Sequence, residues 1–395
     1  MSQKFIMPNV KAVIFWPIGT GDSTTLVLKP GEIVMQIDLR HLEKADDPEE
    51  PEWNIIDHIV NALPKKNGRP YLSVFALSHP DKDHIQGFAE FLKKVDIGEL
   101  WHTPKVFRDQ PNQDAMCEDA KAFRKEADRR RKAILASPNS IKSGDRLRVI
   151  GHDDILLEDK YKNLPASCKS RPGEIVSVVD GVDLTGHFQT FIHAPFKADQ
   201  ENDKNNTSLS LNVVIWEGEV YGQFFFFGDR EYPTVKRIFE TTEKVEKNIP
   251  SLYWDVMLSP HHCSKAVMHW KDEADKDQMF KKDIMDYFKK YSRNGSGYIV
   301  ASSHSDFRDE EGKNPPHLKA RKSYEAIVKS GHFLCTHEYP SKKDPSPLVF
   351  TIDKNGVGFD DKRSKSQGSA GLAAAVTTAR GGTKPPSTQI GFGNS

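Results

Sequence analysis

Apolar positions in the first forty residues fall into three short runs. The runs cover residues 11–19, 23–29 and 32–38 and are rich in β-branched and aromatic side chains. Glycine and proline stand between them, where the turns of hairpins would lie. The pattern therefore predicts three short strands near the beginning of the chain.

After residue 50, segments with the apolar spacing of a helix lie on either side of a segment with the pattern of a strand. Apolar residues recur at the spacing of one helical face in 51–63, run without interruption through 71–78, and return to helical spacing in 85–95. A continuous apolar run of this length is typical of a strand buried on both faces. The polar residues 79–84 are therefore predicted to form a strand-to-helix loop, where functional groups often lie on a rigid support.

The rest of the ordered part is predicted to consist mainly of strands. A charged segment, 108–135, has a helical pattern and is interpreted as part of an exposed insertion at about 104–140. A second helix is predicted at about 276–291. We expect residues 1–361 to form one domain, whose further strands lie at 145–151, 174–180, 186–194, 208–216, 222–229, 253–260, 297–303 and 347–353.

The C-terminal segment 362–395 has a different composition from the rest. It consists largely of serine, glycine, alanine, threonine and proline. Such a segment buries too little apolar surface to offset the entropy lost on ordering, so it is predicted to be disordered.

Charge and cysteine content exclude several classes of protein. Lys plus Arg and Asp plus Glu number 56 each, so there is no overall field to attract nucleic acid or an anionic membrane. The four cysteines are far apart and lack CxxC spacing, which argues against a disulfide framework or a structural zinc site. No secretory leader and no run of about 20 apolar residues is evident, so we expect a cytoplasmic protein without membrane contact.

Histidines and aspartates follow four of the predicted strands. The densest group lies within residues 79–84, and the other strand ends carry His193, Asp229 and the pair His261 and His262. Imidazole and carboxylate are ligands of Zn²⁺, Mn²⁺ and iron, and four converging strand ends would supply enough of them for two divalent cations. Two cations roughly 3.5–4 Å apart lower the pKa of a shared water and clamp an in-line displacement. Without convergence, the segment 79–84 is an ordinary solvated loop.

Six segments resemble, in order, the motifs of one family. "HPDKDH" (79–84) resembles the HxHxDH signature of the metallo-β-lactamase fold, in the HxDxDH form of ComEC-type DNA-uptake proteins. The chain departs from the pattern at Cys263, where glycine is usual. It also has Leu39 and Arg40 after Asp38, where the family usually has threonine and glycine after the aspartate. The large membrane domain of those proteins is absent, so we expect a stand-alone relative without a transport role. The other similar segments are "IGTGDSTTLVL" (18–28), "NNTSLSL" (205–211), "FFFFGD" (224–229), "LSPHHCS" (258–264) and "NPPHLKARKSYEAI" (314–327).

The resemblance implies the four-layer αββα sandwich of the metallo-β-lactamase fold with a binuclear metal centre. Asp81, where most relatives have histidine, makes one position harder and favours Mn²⁺, with Zn²⁺ as the alternative. Either histidine of the pair could be a ligand; His261 is predicted as the ligand and His262 as a group behind it or a proton-transfer group. The implied ligands are His79, Asp81 and His193 for one ion, Asp83, His84 and His261 for the other, and Asp229 as the bridge.

The resemblance also implies candidates for catalysis and substrate contact. Asp83 and His262 are expected to act at the reacting atoms, and His317 to protonate the leaving group, with a surface or capping role as the alternative for His317. Asp22 and Asp38 are interpreted as structural groups that bond loop amides beside the site. Candidates for contacting a substrate phosphate are Asn206, Ser208, Ser264 and Lys265.

The leading functional hypothesis is a soluble metal-dependent phosphodiesterase or nuclease that uses a hydroxide bridging two metal ions. A hydrolase of small cyclic or linear nucleotides is the first alternative, which the zero net charge favours over long polymers. The second alternative is an interaction or signalling subunit of a larger assembly, such as a defence assembly. Its protein partner would dock on the charged insertion or the C-terminal segment. Basic residues in 124–132 could guide a nucleic acid, or could form a solvated helix face.

Overall fold

The computed structural model describes residues 5–42, 53–107, 116–199, 205–273, 275–310 and 314–362. Two sequence predictions lie outside these ranges. One is the disorder predicted for the C-terminal segment, which beyond Lys362 is outside the described residues. The other concerns part of the charged insertion, at 108–115.

The described residues form eight α-helices and twenty-three strands, many of them very short. The helices are α1 (Ile55–Ala62), α2 (Lys82–Ile85), α3 (Phe88–Lys94), α4 (Glu118–Ala136), α5 (Asp153–Leu156), α6 (Tyr232–Glu243), α7 (Lys282–Tyr291) and α8 (Leu318–Glu325). The strands are β1 (Lys11–Phe15), β2 (Thr24–Lys29), β3 (Ile33–Ile37), β4 (Lys65–Lys66), β5 (Arg69–Leu77), β6 (Asp96–His102), β7 (Arg146–Ile150), β8 (Lys169–Ser170), β9 (Ile175–Val176), β10 (Val178–Val179), β11 (Val182–Asp183), β12 (Phe188–Ala194), β13 (Ser210–Glu217), β14 (Val220–Phe226), β15 (Val256–Leu258), β16 (His269–Trp270), β17 (Met279–Phe280), β18 (Tyr298–Ala301), β19 (Phe333–Cys335), β20 (Pro340–Ser341), β21 (Asp344–Pro345), β22 (Leu348–Asp353) and β23 (Gly356–Phe359).

The first sheet combines an antiparallel half with a parallel half. Its strand order is β23-β22-β1-β2-β3-β5-β6-β7-β8, with β4 paired to β5. The strands from β23 to β3 are antiparallel to their neighbours, whereas β3, β5, β6, β7 and β8 run parallel. Because β3 and β5 are parallel neighbours, the loops that follow them leave the sheet at the same edge.

The second sheet has the same two-part plan. Its order is β19-β18-β15-β14-β13-β12-β9. Pairs from β9 to β14 are antiparallel, and β14, β15, β18 and β19 are parallel. The loops after β14 and β15 therefore also leave their sheet side by side.

Apolar side chains fill three layers. Between the two sheets, both contribute to one cluster that includes Phe15 and Phe224. A second cluster joins the outer face of the first sheet to α1, α3 and α4, with Phe88 among its members. A third joins the outer face of the second sheet to α6, α7 and α8, with Phe239 and Tyr324. The order of layers is helix, sheet, sheet, helix, so the prediction of a four-layer αββα sandwich is confirmed.

Three predictions of local structure are corrected. The strand predicted at 174–180 is two separate short strands, β9 and β10. The helix predicted from residue 276 begins at Lys282, because β17 precedes it. The helix of the charged insertion is not simply exposed, since Phe123 and Ala127 of α4 are buried against the first sheet.

No described helix is both long and apolar enough to cross a lipid bilayer.

Candidate metal centre and its cleft

The segment 79–84 follows β5, but only its first part is the predicted loop, since α2 begins at Lys82. It contains two fully buried histidines, His79 and His84. Asp38 ends the neighbouring strand β3, and its carboxylate accepts the backbone N–H of Ser78 at 2.7 Å. The same carboxylate lies 2.8 Å from Nδ1 of His84. Because a carboxylate accepts the proton of Nδ1, the contact directs Nε2 of His84 toward the interior of the site, as in carboxylate–histidine–metal arrangements.

The loop after β1 brings Asp22 to the same edge. Gly21 has a φ of +153°, and a Cβ there would lie 2.5 Å from the backbone oxygen of Asp83. Only glycine permits such a close approach of two backbones. The N–H of Asp22 donates to that oxygen at 3.1 Å, and the carboxylate of Asp22 lies 3.2 Å from Nδ1 of His262. Asp22 thus stands behind the imidazole of His262.

Three consecutive residues after β15 have left-handed backbone conformations. The φ values of His261, His262 and Cys263 are 49°, 51° and 68°. Each such residue costs about 1–2 kcal/mol when it is not glycine, which explains why glycine would suit position 263. The N–H of His261 donates to the oxygen of Gly228 at 3.1 Å, tying the turn to the end of β14. The strained turn directs both imidazoles toward Asp229, as strained backbone often does at functional sites.

Asp229 lies at the centre of the cluster, and each of its carboxylate oxygens faces two imidazoles. Its Oδ1 is 3.2 Å from Nε2 of His84 and 3.2 Å from Nε2 of His262. These two nitrogens are 3.1 Å apart. The carboxylate of Asp83 is 3.4 Å from Nε2 of His262. We call Asp83, His84 and His262 the Oδ1 half-site.

The other oxygen of Asp229 faces a looser group. Its Oδ2 is 3.6 Å from Nε2 of His79 and 3.9 Å from Nε2 of His261. The carboxylate of Asp81 is 3.9 Å from Nε2 of His79. We call His79, Asp81 and His261 the Oδ2 half-site. Asp229 is therefore shared by both half-sites, the place predicted for a bridging ligand.

The separations between these atoms suit bound metal ions. Donors at about 2.1 Å from a tetrahedral ion lie roughly 3.4 Å from one another, within the range found here. Nε2 of His79 and Oδ1 of Asp229 are buried and have no hydrogen-bond partner among the described residues, which is unfavourable unless a ligand satisfies them. Ligand atoms of Asp22, His84, Asp229 and His262 all lie within 4.8 Å of one another. The residues present fit a metal centre.

Charges within the cluster shift the pKa values of its members. Burial acts to lower the pKa values of His84 and His262. Asp229, together with Asp38 behind His84 and Asp22 behind His262, nevertheless holds both pKa values well above the usual value. Burial acts to raise the pKa of Asp229 and Asp83, but the surrounding histidines hold it well below its usual value. The carboxylates are therefore ionised at neutral pH, and bound cations would take the place of the protons on the histidines.

The structure does not bring His193 to the cluster, which corrects its prediction as a metal ligand. The register of β12 is irregular around this residue, and the ring lies in the layer of helices. Its Nδ1 is 3.1 Å from the hydroxyl of Thr242, and its Nε2 is 3.0 Å from the carbonyl oxygen of Ser251. Burial lowers the pKa of His193 to about 3, so the ring is neutral and both nitrogens are engaged there.

The structure also corrects the roles predicted for the paired histidines. His262, expected behind the ligands, is buried within the Oδ1 half-site and faces Asp83 and Asp229. His261, expected to complete that group, faces the opposite oxygen of Asp229 in the Oδ2 half-site, and its side chain is 17% exposed. Each histidine thus faces a different oxygen of Asp229, because the left-handed turn directs the two rings differently.

His317, predicted to protonate the leaving group, lies behind the turn that carries the paired histidines. It is buried, and its Nδ1 accepts the backbone N–H of Lys265 at 3.1 Å. The backbone N–H of His317 donates to the carbonyl oxygen of Cys263 at 3.1 Å. These contacts brace the turn, and His317 is not among the described residues that line the cleft.

The four residues predicted to contact a substrate phosphate make contacts within the protein instead. None of the four is among the described residues that line the cleft, whereas Asn205, beside two of them, is. Their partners are the N–H of Ala266 for Ser264 Oγ (3.2 Å), the carbonyl of Asp309 for Lys265 Nζ (3.4 Å), the hydroxyl of Thr234 for Asn206 Oδ1 (2.7 Å) and the carbonyl of Asn205 for Ser208 Oγ (2.6 Å).

The metal cluster forms part of a cleft of about 990 Å³. Members of both half-sites line it, together with Asp229. Three cationic side chains, Arg40, Lys82 and Lys342, line it as well. A cleft that combines acidic metal ligands with such cations can hold metal ions and an anionic ligand at the same time.

Two further histidines of the cleft, His304 and His337, do not stand out in the sequence. His304 follows β18 and His337 follows β19. Both therefore lie after the end of a strand, like the histidines and aspartates that the sequence analysis selected. Nδ1 of His337 accepts the N–H of Gly19 at 3.2 Å, and Nδ1 of His304 accepts the N–H of Asp306 at 3.1 Å. In a neutral ring with this contact, the proton is on Nε2.

The basic helix α4 uses three of its arginines within the protein. Arg130 is 2% exposed and donates to carbonyl oxygens of β6 and β7 in the first sheet. Arg129 pairs with Glu126 at 2.8 Å, and Arg131 pairs with Asp128 at 2.9 Å. These contacts favour a structural role for the segment 124–132 over the guidance of a nucleic acid.

No protein-family model and no curated protein matches the chain. Similar solved structures include BJP-1, a subclass B3 metallo-β-lactamase of Bradyrhizobium japonicum, with 15% identity over 73% of this chain and 92% of that chain and a TM-score of 0.29. Zn²⁺-bound PqqB from Methylobacterium extorquens has 12% identity over 83% of this chain and 87% of that chain, with a TM-score of 0.34. The di-zinc class B3 metallo-β-lactamase LRA-12, from an Alaskan soil metagenome, has 11% identity over 73% of this chain and 92% of that chain, with a TM-score of 0.30. Because these sequence identities and TM-scores are low, the function is inferred from the geometry of this chain and not from these proteins.

Proposed function

We propose that this chain is a metal-dependent hydrolase whose substrates are phosphodiesters. The observation that carries the proposal is the position of Asp229, whose two oxygens each face two imidazoles in a cleft that also has cationic side chains. Two divalent cations held there would acidify a water and neutralise charge on the reacting phosphate. The residues of the chain bind the ions and orient the substrate and the attacking water.

The ligand set suits zinc or manganese. Each half-site offers two imidazoles, one carboxylate of its own and one oxygen of Asp229. Mixed nitrogen and oxygen ligands bind Zn²⁺ well, and the carboxylates make the set harder than one of histidines alone, which favours Mn²⁺. Both ions are therefore included in the test.

The charges around the cleft favour an anionic substrate. Lys82 and Lys342 are exposed, and Arg40 lines the same cleft. The acidic residues of the same cleft would be neutralised by bound metal ions, which would leave these cations to attract an anionic ligand. A phosphodiester would be held by these side chains beside the metal cluster, whereas an uncharged ester or amide would gain nothing from them.

Hydrogen bonds to the reacting groups are assigned to residues that line the cleft. Asp83 is ionised, because His262 and His84 outweigh burial and hold its pKa well below the usual value. Its carboxylate could therefore accept a hydrogen bond from the attacking water and orient it. His304 and His337 would carry an N–H on Nε2 and could donate a hydrogen bond that stabilises charge on the leaving oxygen, which a water would then protonate.

A hydrolase of small cyclic or linear nucleotides is the second candidate. Two observations favour it over a nuclease that acts on long polymers. Three of the four arginines in the segment 124–132 are engaged within the protein. The cleft volume of about 990 Å³ lies within the range usual for pockets that bind small molecules.

The proposal is tested by comparing the wild type with the double variant Asp83→Ala/His84→Ala. Linear DNA, RNA, cyclic dinucleotides and bis(p-nitrophenyl) phosphate are assayed with Mn²⁺ and with Zn²⁺. We expect cleavage of at least one phosphodiester, lowered more than about 100-fold in the variant, since even groups behind metal ligands contribute 10–100-fold. The matched control Asp183→Ala/His187→Ala changes exposed residues and is expected to keep full activity. Turnover of uncharged lactams or thioesters without any phosphodiester would contradict the substrate class.

A further inference from the structure

A second cavity, of about 220 Å³, lies between α4 and the first sheet. Its wall includes His102, at the end of β6, beside the strand whose end carries the metal cluster. The residues of α4 that line the cavity recur at the spacing of one helical face. The remaining wall comes from Pro104, Phe107 and Leu147 and from the segment 155–161, and the α4 residues are Arg124, Ala127, Asp128 and Arg131.

His102 is the buried polar group of this cavity. It is 4% exposed, and its ring nitrogens lie near the backbone of Thr103 but make no close hydrogen bond with another described side chain. The ring packs edge-on against Phe107 and Phe123, at centroid distances of 5.9 and 5.6 Å. Burial, followed by the ammonium of Lys160, lowers the pKa of His102 to about 4, so the ring is neutral and offers one N–H donor. Buried polar groups are normally hydrogen-bonded, and a ligand in the cavity would supply a close partner for the ring N–H of His102.

Three cations stand around the same cavity. Arg124 and Arg131 lie two turns apart on one face of α4, and Lys160 belongs to the segment 155–161. Arg131 pairs with Asp128 at 2.9 Å and donates to the carbonyl oxygen of Lys160 at 3.4 Å. Burial and the two arginines lower the pKa of Lys160, although Asp128 opposes the shift. With Glu158 as the second acidic residue, the lining carries three cations and two carboxylates, an excess of positive charge.

We propose that this cavity is a binding site for a small phosphomonoester. The phosphate would lie between Arg124 and Lys160 and accept the ring N–H of His102, while Arg131 stays paired with Asp128 beside it. Charge-assisted hydrogen bonds from guanidinium and ammonium groups are the strong contacts of phosphate sites. The organic group would pack on the aromatic rings of the lining, such as that of Tyr161. The small volume excludes a segment of a polymer.

The site is separate from the proposed active site. None of the residues that line this cavity is among the described residues that line the cleft of the metal cluster. Loss of metal binding or of hydrolysis would therefore leave this proposal standing, and loss of phosphomonoester binding would leave the hydrolase standing.

The test is calorimetric titration of the full chain with phenyl phosphate and, separately, with inorganic phosphate. We expect one saturable site for phenyl phosphate, with an affinity at least about tenfold higher than that for inorganic phosphate, because only the ester reaches the aromatic rings. Equal affinity would overturn the assignment to an ester. The absence of saturable binding of either ligand would overturn the site itself.

Two variants locate the bound phosphate. Lys160→Gln and Arg124→Gln are each expected to weaken phenyl phosphate binding about tenfold or more, the usual contribution of a charged hydrogen-bond partner. Lys162→Gln is the matched control, since Lys162 is two residues away, pairs with Asp159 at 2.6 Å and does not line the cavity. Unchanged binding in both cavity variants, or a loss that appears in Lys342→Gln of the cleft instead, would overturn the proposal.

Discussion

The two halves of the metal centre differ in what stands behind their histidines. In the Oδ1 half-site, both imidazoles are backed by buried carboxylates. Asp38 lies 2.8 Å from Nδ1 of His84, and Asp22 lies 3.2 Å from Nδ1 of His262. Each carboxylate fixes the orientation of its ring and makes the opposite nitrogen a stronger ligand.

The Oδ2 half-site has weaker support. Nδ1 of His79 lies 3.2 Å from the hydroxyl of Ser78, which is a neutral group. Nδ1 of His261 lies 3.6 Å from Glu231, whose side chain is 25% exposed, so that water screens the interaction. The distances to Asp229 are also longer on this side, at 3.6 and 3.9 Å compared with 3.2 Å.

This difference indicates a division of roles between the half-sites. Groups behind metal ligands typically change affinity 10–100-fold, so we expect the Oδ1 half-site to hold its ion more tightly. The Oδ2 half-site, with the more exposed His261, is expected to be the position whose ion exchanges more readily.

Asp229→Asn is expected to have the largest effect, since it removes the carboxylate that both half-sites share. Metal binding should weaken in both half-sites, and activity should fall more than about 100-fold, beyond the effect of a group that only supports a ligand. Metal content measured after dialysis, together with turnover of the phosphodiester cleaved by the wild type, checks this. Retention of full metal content would show that Asp229 is not the shared ligand.

Asp38→Asn and Glu231→Gln test the difference between the half-sites directly. Asp38→Asn should lower the affinity for the tighter ion by about 10–100-fold, because His84 loses the charge behind it. Glu231→Gln should change the affinity for the weaker ion less than about threefold, because an exposed charge contributes little. Zinc titration with a competing chelator measures both. Equal effects of the two substitutions would contradict the proposed asymmetry.

Gly21→Ala tests the loop that places Asp22 behind His262. A Cβ at Gly21 would lie 2.5 Å from the backbone oxygen of Asp83, so we expect a loss of stability of about 1–3 kcal/mol and about tenfold weaker metal binding. Gly31→Ala is the control, since it also has positive φ, at 73°, but nothing lies within 4 Å of its Cβ position. The control should lose only about 1 kcal/mol and keep its metal affinity. Thermal unfolding and metal titration separate the two outcomes.

Lys342→Gln should have the smallest effect and should leave both half-sites unchanged. Removal of one cation from the cleft is expected to raise the KM for an anionic substrate about threefold, with unchanged metal content, because one exposed charge is worth up to about 1 kcal/mol. Lys354→Gln, in the turn between β22 and β23, is the matched control. Unchanged KM in Lys342→Gln at low salt would remove this lysine from the substrate site.

The strand ends that carry the cluster could be predicted from the sequence. A strand that is buried on both faces appears in the sequence as a continuous apolar run. The polar residues that follow such a run, such as His79 and Asp229, are therefore expected at the edge of a sheet where the strand ends. Asp38 could be assigned a structural role on the same basis, and it does bond a loop amide and His84. The order of the strands brings these ends together, and the sequence predicted only that the ends could converge.

Other features of the site depend on geometry that the sequence does not encode locally. His193 follows the same rule as the ligands, but a single register irregularity in β12 places its ring among the helices. The roles of His261 and His262 depend on a left-handed turn, which adjacent residue types do not reveal. Charge alone likewise cannot show that Arg130 is buried and bonded to carbonyl groups.

The metal stoichiometry of the purified chain tests the central claim most directly. The chain is stripped with chelator and titrated with Zn²⁺ and with Mn²⁺ while bound metal is counted by mass spectrometry. We predict about two ions per chain, the first bound at least about tenfold more tightly than the second. Failure of the wild type to bind either ion saturably would contradict the assignment of this cluster as a metal centre, and with it the proposed hydrolase.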